Sequence, residues 1–408
     1  MADLIDELIG EDGRALRDLV KEFGEANIPY SRSRAMEDAH RLDADLIAAV
    51  GKAGFIQPQI PEEYGGAAQL GTDRTDIVKA VIVQDGLAYF DSSVALLVEV
   101  SGGLCGGSIL KGGTEEQKRE WLPRIANGEA VGCFALSETG CGSDAKAMRS
   151  HAVEEDGGWR IRGSKHWITN GMFGDLTVWY AVTARGETVE KNRHSAFIAL
   201  RDGYPGRRGY AAQLQRNRSI RGSGTAGLSP EPGEDGFWVP AEALLDGPYK
   251  DGTRRDNSFS LALSVLDYGR LKIAADAVGM MRRALDESIR YAGERETFRR
   301  KICEHGAVAE MLAEMKELCT TARDSVYKAA WEADHNVAAD SQSAAVVKNV
   351  ASRSLKRVAD LAVQVHGGAG VAEDCIVSRI QDDAKVYPIF EGTLQINRLV
   401  IARGLYPR

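Results

Sequence analysis

The 408-residue chain lacks the marks of several large functional classes. Its formal net charge is −8 and no stretch clusters basic residues, which argues against a nucleic-acid partner. No apolar run approaches the ~20 residues of a bilayer span, so no membrane span is expected. The segment from Met1 to Gly10 carries acidic residues and no basic leader, and it is neither Arg- nor Ser-rich. The expected location is therefore the cytoplasm, or the mitochondrial matrix in a eukaryote. Cys105, Cys133, Cys141, Cys303, Cys319 and Cys375 show no metal-ligand spacing. Free thiols in a reducing compartment, and no metal site, are the expectation. No internal repeat is present, and no glycine cluster has the strand-before, helix-after setting of a dinucleotide-binding Rossmann turn.

What is present falls into three textures. Residues 1–128 read as a helical domain. Leu16, Leu19, Val20 and Phe23 recur at helical spacing, as do Leu42, Leu46 and Val50. Thr114 and Gln117 form a capping-box pair at the start of a helix through Trp121 that ends near Pro123. Residues 129–245 read as a small β domain. Alternation from Trp159 to Thr169 suggests one strand with a packed face, and Val178–Val182 and Ser195–Leu200 suggest two more. The Gly-, Arg- and Pro-rich stretch from Gly203 to Gly236 reads as long loops, with Ser229 to Gly233 at a tip. Residues 246–408 read as a helical bundle. Apolar stripes run from Ile273 to Ile289, from Val308 to Val326 and from Val347 to Val365. The fold class is α+β, mainly α.

One stretch near the C-terminus places a lone carboxylate, Glu391, between Phe390 and Gly392. Pro388 stops an incoming helix, Gly392 permits a turn, and Thr393 caps a helix running through Ile396 and Leu399. Three glycine-bearing segments accompany it. Phe134 to Asp144 is rich in small residues that let backbone N–H groups approach a ligand. Trp167-Ile168-Thr169-Asn170 places a hydroxyl after an aromatic at a strand end. Gln364 to Gly370 carries Gly367-Gly368, either a phosphate cradle or a helix C-cap. Alone, each also reads as an ordinary turn, core aromatic or solvated surface.

Together, and in this order, the segments resemble the acyl-CoA dehydrogenase family over almost the whole chain. The resemblance rests on Ala135-Leu136-Ser137-Glu138 with Gly142-Ser143-Asp144, Trp167 to Asn170, and Ile220 to Ser223. It continues through Val239 to Glu242, Asp267-Tyr268-Gly269-Arg270, Arg295 to Phe298, Gln364 with Gly367-Gly368, Asp383 to Val386, and Phe390 to Thr393. It implies an N-terminal helical domain, a small central β-barrel-like domain and a C-terminal four-helix bundle.

It also implies FAD bound non-covalently. Phe134, Leu136, Ser137, Gly142 and Ser143 would run along the flavin, with Ser137 hydrogen-bonding it. Trp167, Ile168 and Thr169 would cover another part of the ring, with Thr393 and Gln395 nearby. Arg295 and Thr297 would meet the pyrophosphate. Gln364, Gly367 and Gly368 would serve a neighbouring subunit's cofactor, which implies a homodimer or homotetramer. Ser143, Asp267, Tyr268, Arg270 and Gly392 match substrate-contacting positions. Glu391 matches the catalytic base that removes the α-proton of an acyl-CoA, while hydride leaves the β-carbon for flavin N5. The carbonyl would accept from a ribityl hydroxyl and from the Glu391 N–H. Some branches place the base at the position of Gly269, which cannot serve, and Asp267 to Arg270 resembles the short-chain branch. The electron acceptor implied is an electron-transferring flavoprotein.

Departures from the family pattern are Thr139, Arg299, Gly306, Asp382 and Phe390 in place of the usual proline, glycine, glutamine, arginine and tyrosine. Gly102-Gly103 and Gly106-Gly107 lie near where the family's acyl pocket has its floor, and leave either extra room or a loosened helix. The readings left open beside an acyl-CoA dehydrogenase are one acting on a carrier-protein-bound acyl group, a flavin oxidase of the same fold, and a non-catalytic partner subunit.

Overall fold

The computed structural model describes residues 4–68, 76–245, 258–335 and 341–406. The chain begins with α1 (Leu4–Asn27), α2 (Tyr30–Ala39) and α3 (Ala44–Lys52), followed by α4 (Ile77–Phe90) and α5 (Ser92–Val98). A π-helical segment, Glu99–Gly106, leads into α6 (Gly107–Gly112), and α7 (Glu115–Ala126) ends the helical part. The expected capping box is there: the Gln117 N–H donates to Thr114 Oγ1 and the Thr114 N–H donates to Gln117 Oε1. The helix runs on past Pro123 to Ala126, with Pro123 inside it at the cost of one ladder hydrogen bond.

The run from Ser92 to Gly112 is one continuous helical stretch of 21 residues, within which an 18-residue window has mean hydropathy 1.6. By length and composition it is apolar enough to cross a membrane, contrary to the sequence expectation. Its most apolar 18-residue window is wholly buried inside the protein, where it serves as a core helix.

The β part comprises β1 (Gly132–Ala135), β2 (His151–Glu155), β3 (Gly158–Arg162), β4 (Lys165–Ile168), β5 (Leu176–Ala184), β6 (Arg193–Leu200), β7 (Tyr210–Leu214), β8 (Ala226–Pro230) and β9 (Phe237–Pro240). β1, β5, β2, β3 and β9 lie in that order, with β6 also on β5; β4, β8 and β7 form a second sheet. The expected strand from Trp159 to Thr169 is thus two strands in two sheets, parted at Gly163, whose φ of 114° turns the chain. The expected loops from Gly203 to Gly236 contain β7 and β8 as well. Their glycines mask a strand pattern that packs Tyr210, Ala226, Leu228 and Phe237 around Trp179.

The last part is helical. α8 (Phe259–Glu294) is followed by a two-stranded ribbon, β10 (Glu296–Thr297) and β11 (Arg300–Lys301). Then come α9 (Gly306–Asp334), α10 (Ser341–His366), α11 (Ile376–Asp383) and α12 (Leu394–Leu405). α8 packs on α4, α9 and α10, and α10 also meets α12. α8 therefore touches both helical parts and is the element on which the site is built. Fully buried aliphatic side chains such as Ile273, Met281, Val326 and Leu355 seal this core, each stabilising by about 1.5–3 kcal/mol.

Candidate active site

The turn after α11 sets the carboxylate. Pro388 and the buried Tyr387 end the incoming chain, and Tyr387 meets Phe390 edge-on at 5.0 Å. Glu391 then adopts φ 55° and Gly392 φ 91°, two consecutive left-handed residues. A non-glycine residue seldom holds that conformation without compensation. The compensation is visible in the carbonyls. Arg270 Nε donates to Glu391 O at 3.3 Å, while Lys348 Nζ and Asn397 Nδ2 donate to Gly392 O at 2.8 and 3.1 Å. Thr393 caps α12, its Oγ1 accepting from the Ile396 N–H at 3.2 Å. Neither Glu391 nor Gly392 uses its N–H in a hydrogen bond to another described residue.

The Glu391 side chain points back to α8. A Cβ on Gly269 would lie 2.4 Å from Glu391 Oε2, so the carboxylate occupies the space that only glycine leaves. The residue is half-buried, but Oε2 is sealed from solvent and has no hydrogen-bond partner among the described residues. Burial pushes its pKa up to about 7, against the pull of Arg270, Lys272 and Lys348. Arg270 is buried and hydrogen-bonded to Asp267 through Nη1. Asp267 is held above the usual carboxylate range by burial, with Arg270 opposing. Tyr268 is half-buried, with Lys111 Nζ 4.6 Å above its ring.

The segments assigned to a flavin by resemblance lie at strand ends. Phe134 is half-buried on β1, Leu136 is buried, Ser137 is half-buried, and Gly142 and Ser143 are exposed. A Cβ at Gly140 or Gly142 would meet nothing within 4 Å, so the backbone there is open to a ligand. The Ser137 carbonyl accepts from the His166 N–H at 2.9 Å, which brings the first two segments together. Trp167 has φ 62° and is 57% exposed, although a bulky residue seldom takes that backbone or leaves its ring in water. Its N–H donates to Gln215 Oε1 at 2.7 Å. Ile168 is buried beside it and Thr169 is half-buried.

Arg295 is exposed just before the ribbon, and Thr297 Oγ1 pairs with His305 Nε2 at 3.1 Å. Phe298 and Arg299 at the ribbon tip both have positive φ, and Phe298 is 91% exposed. Gln364, Gly367 and Gly368 are exposed at the end of α10, away from the Glu391 turn in sequence and on the protein surface. Gly367, at φ 59°, follows the last helical residue. Gln395 is exposed in the first turn of α12. Asp382 is exposed, so the departure from arginine lies at the surface. The glycines at 102 and 103 leave no void. A Cβ at Gly103 would lie 2.2 Å from Lys272 Nζ, and one at Gly102 would lie 2.8 Å from Ile56 Cγ2, so the loosened, π-helical turn is filled by neighbours.

Four residues that shape the site were not singled out from the sequence. Lys348 fixes the Gly392 carbonyl from α10. Glu99 and Lys272 form a buried ion pair at 2.8 Å whose charges reach Glu391. Lys165, fully buried, donates to Leu136 O at 3.0 Å and to Glu138 Oε1 at 2.9 Å, tying β4 to the Phe134 segment. Burial opposes ionisation of Glu138, yet Lys165 and the N–H groups of Arg149 and Ser150 outweigh it and hold this carboxyl below its usual range. Only a lysine on the parity of Trp159, Ile161 and Trp167, with a glutamate on the neighbouring segment, signals the pair in the sequence. Lys165→Met strands the Glu138 carboxylate, so it is expected to lower unfolding free energy by about 3–5 kcal/mol in denaturant titration. A loss below ~1 kcal/mol would show that the pair does not brace the two segments.

Comparison with known proteins bears on the whole chain. Family models described as the N-terminal, middle and C-terminal domains of acyl-CoA dehydrogenase match residues 10–129, 133–229 and 258–406. An acyl-CoA dehydrogenase of Bacillus subtilis is 34% identical over 393 residues, spanning 96% of this chain and 97% of its own. The butyryl-CoA dehydrogenase structure from Megasphaera elsdenii superposes with TM-score 0.86 at 29% identity, covering 97% of this chain and 98% of its own. A glutaryl-CoA dehydrogenase from Mycobacterium smegmatis, solved in complex with FADH2, gives TM-score 0.86 at 26% identity, covering 99% and 96%. The chain belongs to the acyl-CoA dehydrogenase family, FAD-dependent oxidoreductases acting on acyl-CoA.

Proposed function

We propose that the protein removes the α-proton of an acyl-CoA with Glu391 and so forms the α,β-unsaturated thioester. The carrying observation is the Glu391 carboxylate itself. It is sealed from water, unpartnered at Oε2 and raised to a pKa of about 7, which makes it a far better base than an ordinary carboxylate. The free N–H groups of Glu391 and Gly392 lie on the same turn, where they are available to a developing enolate oxygen.

The residues present fit FAD. A strained, exposed Trp167 and the half-buried Phe134 offer flat apolar surface, and Gly140 and Gly142 leave the intervening backbone uncovered. Ser137 and Thr169 supply hydroxyls, and Arg295 supplies a charged fork for the pyrophosphate. FAD, when bound, supplies the two-electron oxidant that accepts hydride from the β-carbon. The chain's own work is to bind and orient the thioester, through Ser143, Asp267, Tyr268, Arg270 and Gly392, and to hold the α-proton at Glu391. Exposed Gln364, Gly367 and Gly368 complete the cofactor site of a second copy, in a homodimer or a dimer of dimers. Electrons leave to an electron-transferring flavoprotein.

The test is anaerobic mixing of the FAD-loaded protein with a panel of acyl-CoAs, read as loss of flavin absorbance. Bleaching by at least one saturated thioester is expected; a protein that binds no FAD refutes the reading. Rapid recolouring by air alone would assign oxygen as the acceptor in place of the flavoprotein.

The pH dependence follows from Glu391. The base must be ionised to act, and burial has raised its pKa, so kcat/KM is expected to rise with pH and level off above about 7. The same shift acts on stability in the opposite sense, because the folded state favours the protonated carboxyl. Its contribution to stability is present below the ordinary carboxylate range and is lost as pH rises to about 7. Glu391→Gln should therefore gain in melting temperature over the parent as pH rises from 5 to 8 (roughly the span that brackets the shift). A rate profile flat between those limits would contradict this assignment.

A further inference from the structure

Lys165, Lys272 and Lys348 are the buried lysines among the described residues. Two of them have a carboxyl group in contact: Lys165 Nζ lies 2.9 Å from Glu138 Oε1, and Lys272 Nζ lies 2.8 Å from Glu99 Oε2. Lys348, wholly buried on α10, forms no ion pair with any described residue. Its Nζ donates to the Gly392 carbonyl at 2.8 Å. A buried ammonium with no carboxylate against it is costly, because a carbonyl dipole replaces only part of its hydration.

α10 fastens the Glu391 turn by other side chains as well. Asn349 Nδ2 donates to Leu394 O at 3.2 Å, and Ser352 Oγ donates to Tyr387 O at 3.1 Å. Both donors are neutral. Asn397 Nδ2, also neutral, serves the Gly392 carbonyl itself at 3.1 Å. A charge is therefore not needed to hold these carbonyls, yet the charged donor on α10 sits at the residue directly after Glu391.

We propose that Lys348 is a positioning residue for the base: from one place its ammonium fastens the Gly392 carbonyl and opposes the Glu391 carboxylate with a positive charge. The inference rests on Glu391 acting as the base and adds a residue that governs when it is ionised.

The charges around the turn support it. Glu391 is faced by Arg270, Lys272 and Asp276 from α8, by Glu99 from the π-helical segment and by Lys348 from α10. Burial lifts Glu99 to about 8 and Asp276 well above the carboxylate range, so at neutral pH these two acids are mostly protonated. The cations then set the field, and Arg270, Lys272 and Lys348 all favour the ionised form of Glu391. Arg270 also contacts Asp267, and Lys272 contacts Glu99. For Lys348 the carboxylate that pulls on it is Glu391.

Burial lowers the Lys348 pKa to about 8, with Glu391 opposing. The side chain is thus mostly an ammonium in the range where Glu391 ionises. Its effect on stability is unfavourable. The folded state disfavours the ammonium, so the cost is full below about 8 and is relieved as pH rises from there toward the ordinary lysine value of 10.5. An apolar side chain of similar length would fill this place as well or better. The carboxylate on the turn it holds gives the charge its reason.

The test follows kcat/KM for anaerobic flavin bleaching by an acyl-CoA from about pH 5 to about pH 9. The proteins are the FAD-loaded parent, Lys348→Met, Lys348→Gln and Lys348→Arg. In substrate-free protein the Glu391 carboxyl is also titrated directly, from the infrared difference between each protein and the same protein carrying Glu391→Gln. Loss of the charge in the Met and Gln variants should raise the Glu391 midpoint by about one unit. kcat/KM should then fall roughly fivefold at about pH 7 and converge on the parent's toward about pH 9. Lys348→Arg keeps the charge and should stay nearer the parent's midpoint than either neutral variant. A loss equal at every pH, with the midpoint unmoved in both neutral variants, makes Lys348 a fastener of the turn and overturns the inference alone. Failure of both neutral variants to fold does the same. If they fold but lose flavin, the infrared midpoints decide. A parent profile flat across this range sinks the reading of Glu391 as the base, and the inference with it.

Discussion

Glu391→Gln is expected to slow flavin bleaching by an acyl-CoA by at least about 10²–10⁴-fold, the usual contribution of a positioned general base. Glutamine keeps the shape and the backbone of the turn. The carbonyls of Glu391 and Gly392 stay held by Arg270, Lys348 and Asn397, so the left-handed pair at 391 and 392 survives. What disappears is the one acceptor able to take the α-proton. Gly269, the alternative position for a base, bears no side chain, and the next carboxylate with electrostatic reach, Glu99, is engaged by Lys272. Thioester affinity and flavin content should therefore remain near the parent values while kcat falls. A variant that keeps a tenth or more of the parent rate would show that another group takes the proton.

Gly269→Ala should separate activity from stability. Inside a helix this change ordinarily stabilises by about 0.5–1 kcal/mol, because glycine loses more freedom on folding. Here the added methyl would lie 2.4 Å from Glu391 Oε2 and 3.1 Å from Cδ, so the carboxylate must move. A displacement on the order of 1 Å in a reacting group costs about 10²-fold in rate. The expected result is a melting temperature equal to or above the parent's, full flavin content, and kcat lower by about that factor. An active Gly269→Ala protein would mean that the carboxylate does not rest against α8 when substrate is bound.

Much of this site was legible in the chain, and the reason is local. Pro388, Gly392 and Thr393 each act within a few residues, so the turn and the cap of α12 follow from backbone preferences alone. The capping box at Thr114 was equally local. The order of helical, β and helical parts was legible because periodicity changes character near 129 and again near 245. That second change borders residues outside the described structure, so its position stands as a reading of the sequence.

What escaped was non-local. β8 lies between β7 and β4 and pairs with both, and two five-residue strands set among glycine-rich loops carry too little alternation to show themselves without their partners. The strand expected from Trp159 to Thr169 kept its period through Gly163, and periodicity cannot report a change of sheet. The buried charges were hidden for the same reason. Lys272 on α8 reads as a solvated helix residue until Glu99 and Gln59, from distant parts of the chain, are found against it. Lys348 likewise becomes informative only once the Gly392 carbonyl is seen beneath it.

Proton removal by Glu391 can be read without turnover, as hydrogen exchange at the substrate's α-carbon. The FAD-loaded protein is incubated in deuterium oxide with an acyl-CoA analogue that cannot lose its β-hydride, and α-deuterium incorporation is followed by proton NMR. Incorporation by the parent protein is expected, rising with pH through about 7, and none above background by Glu391→Gln. Equal incorporation by both proteins would contradict it.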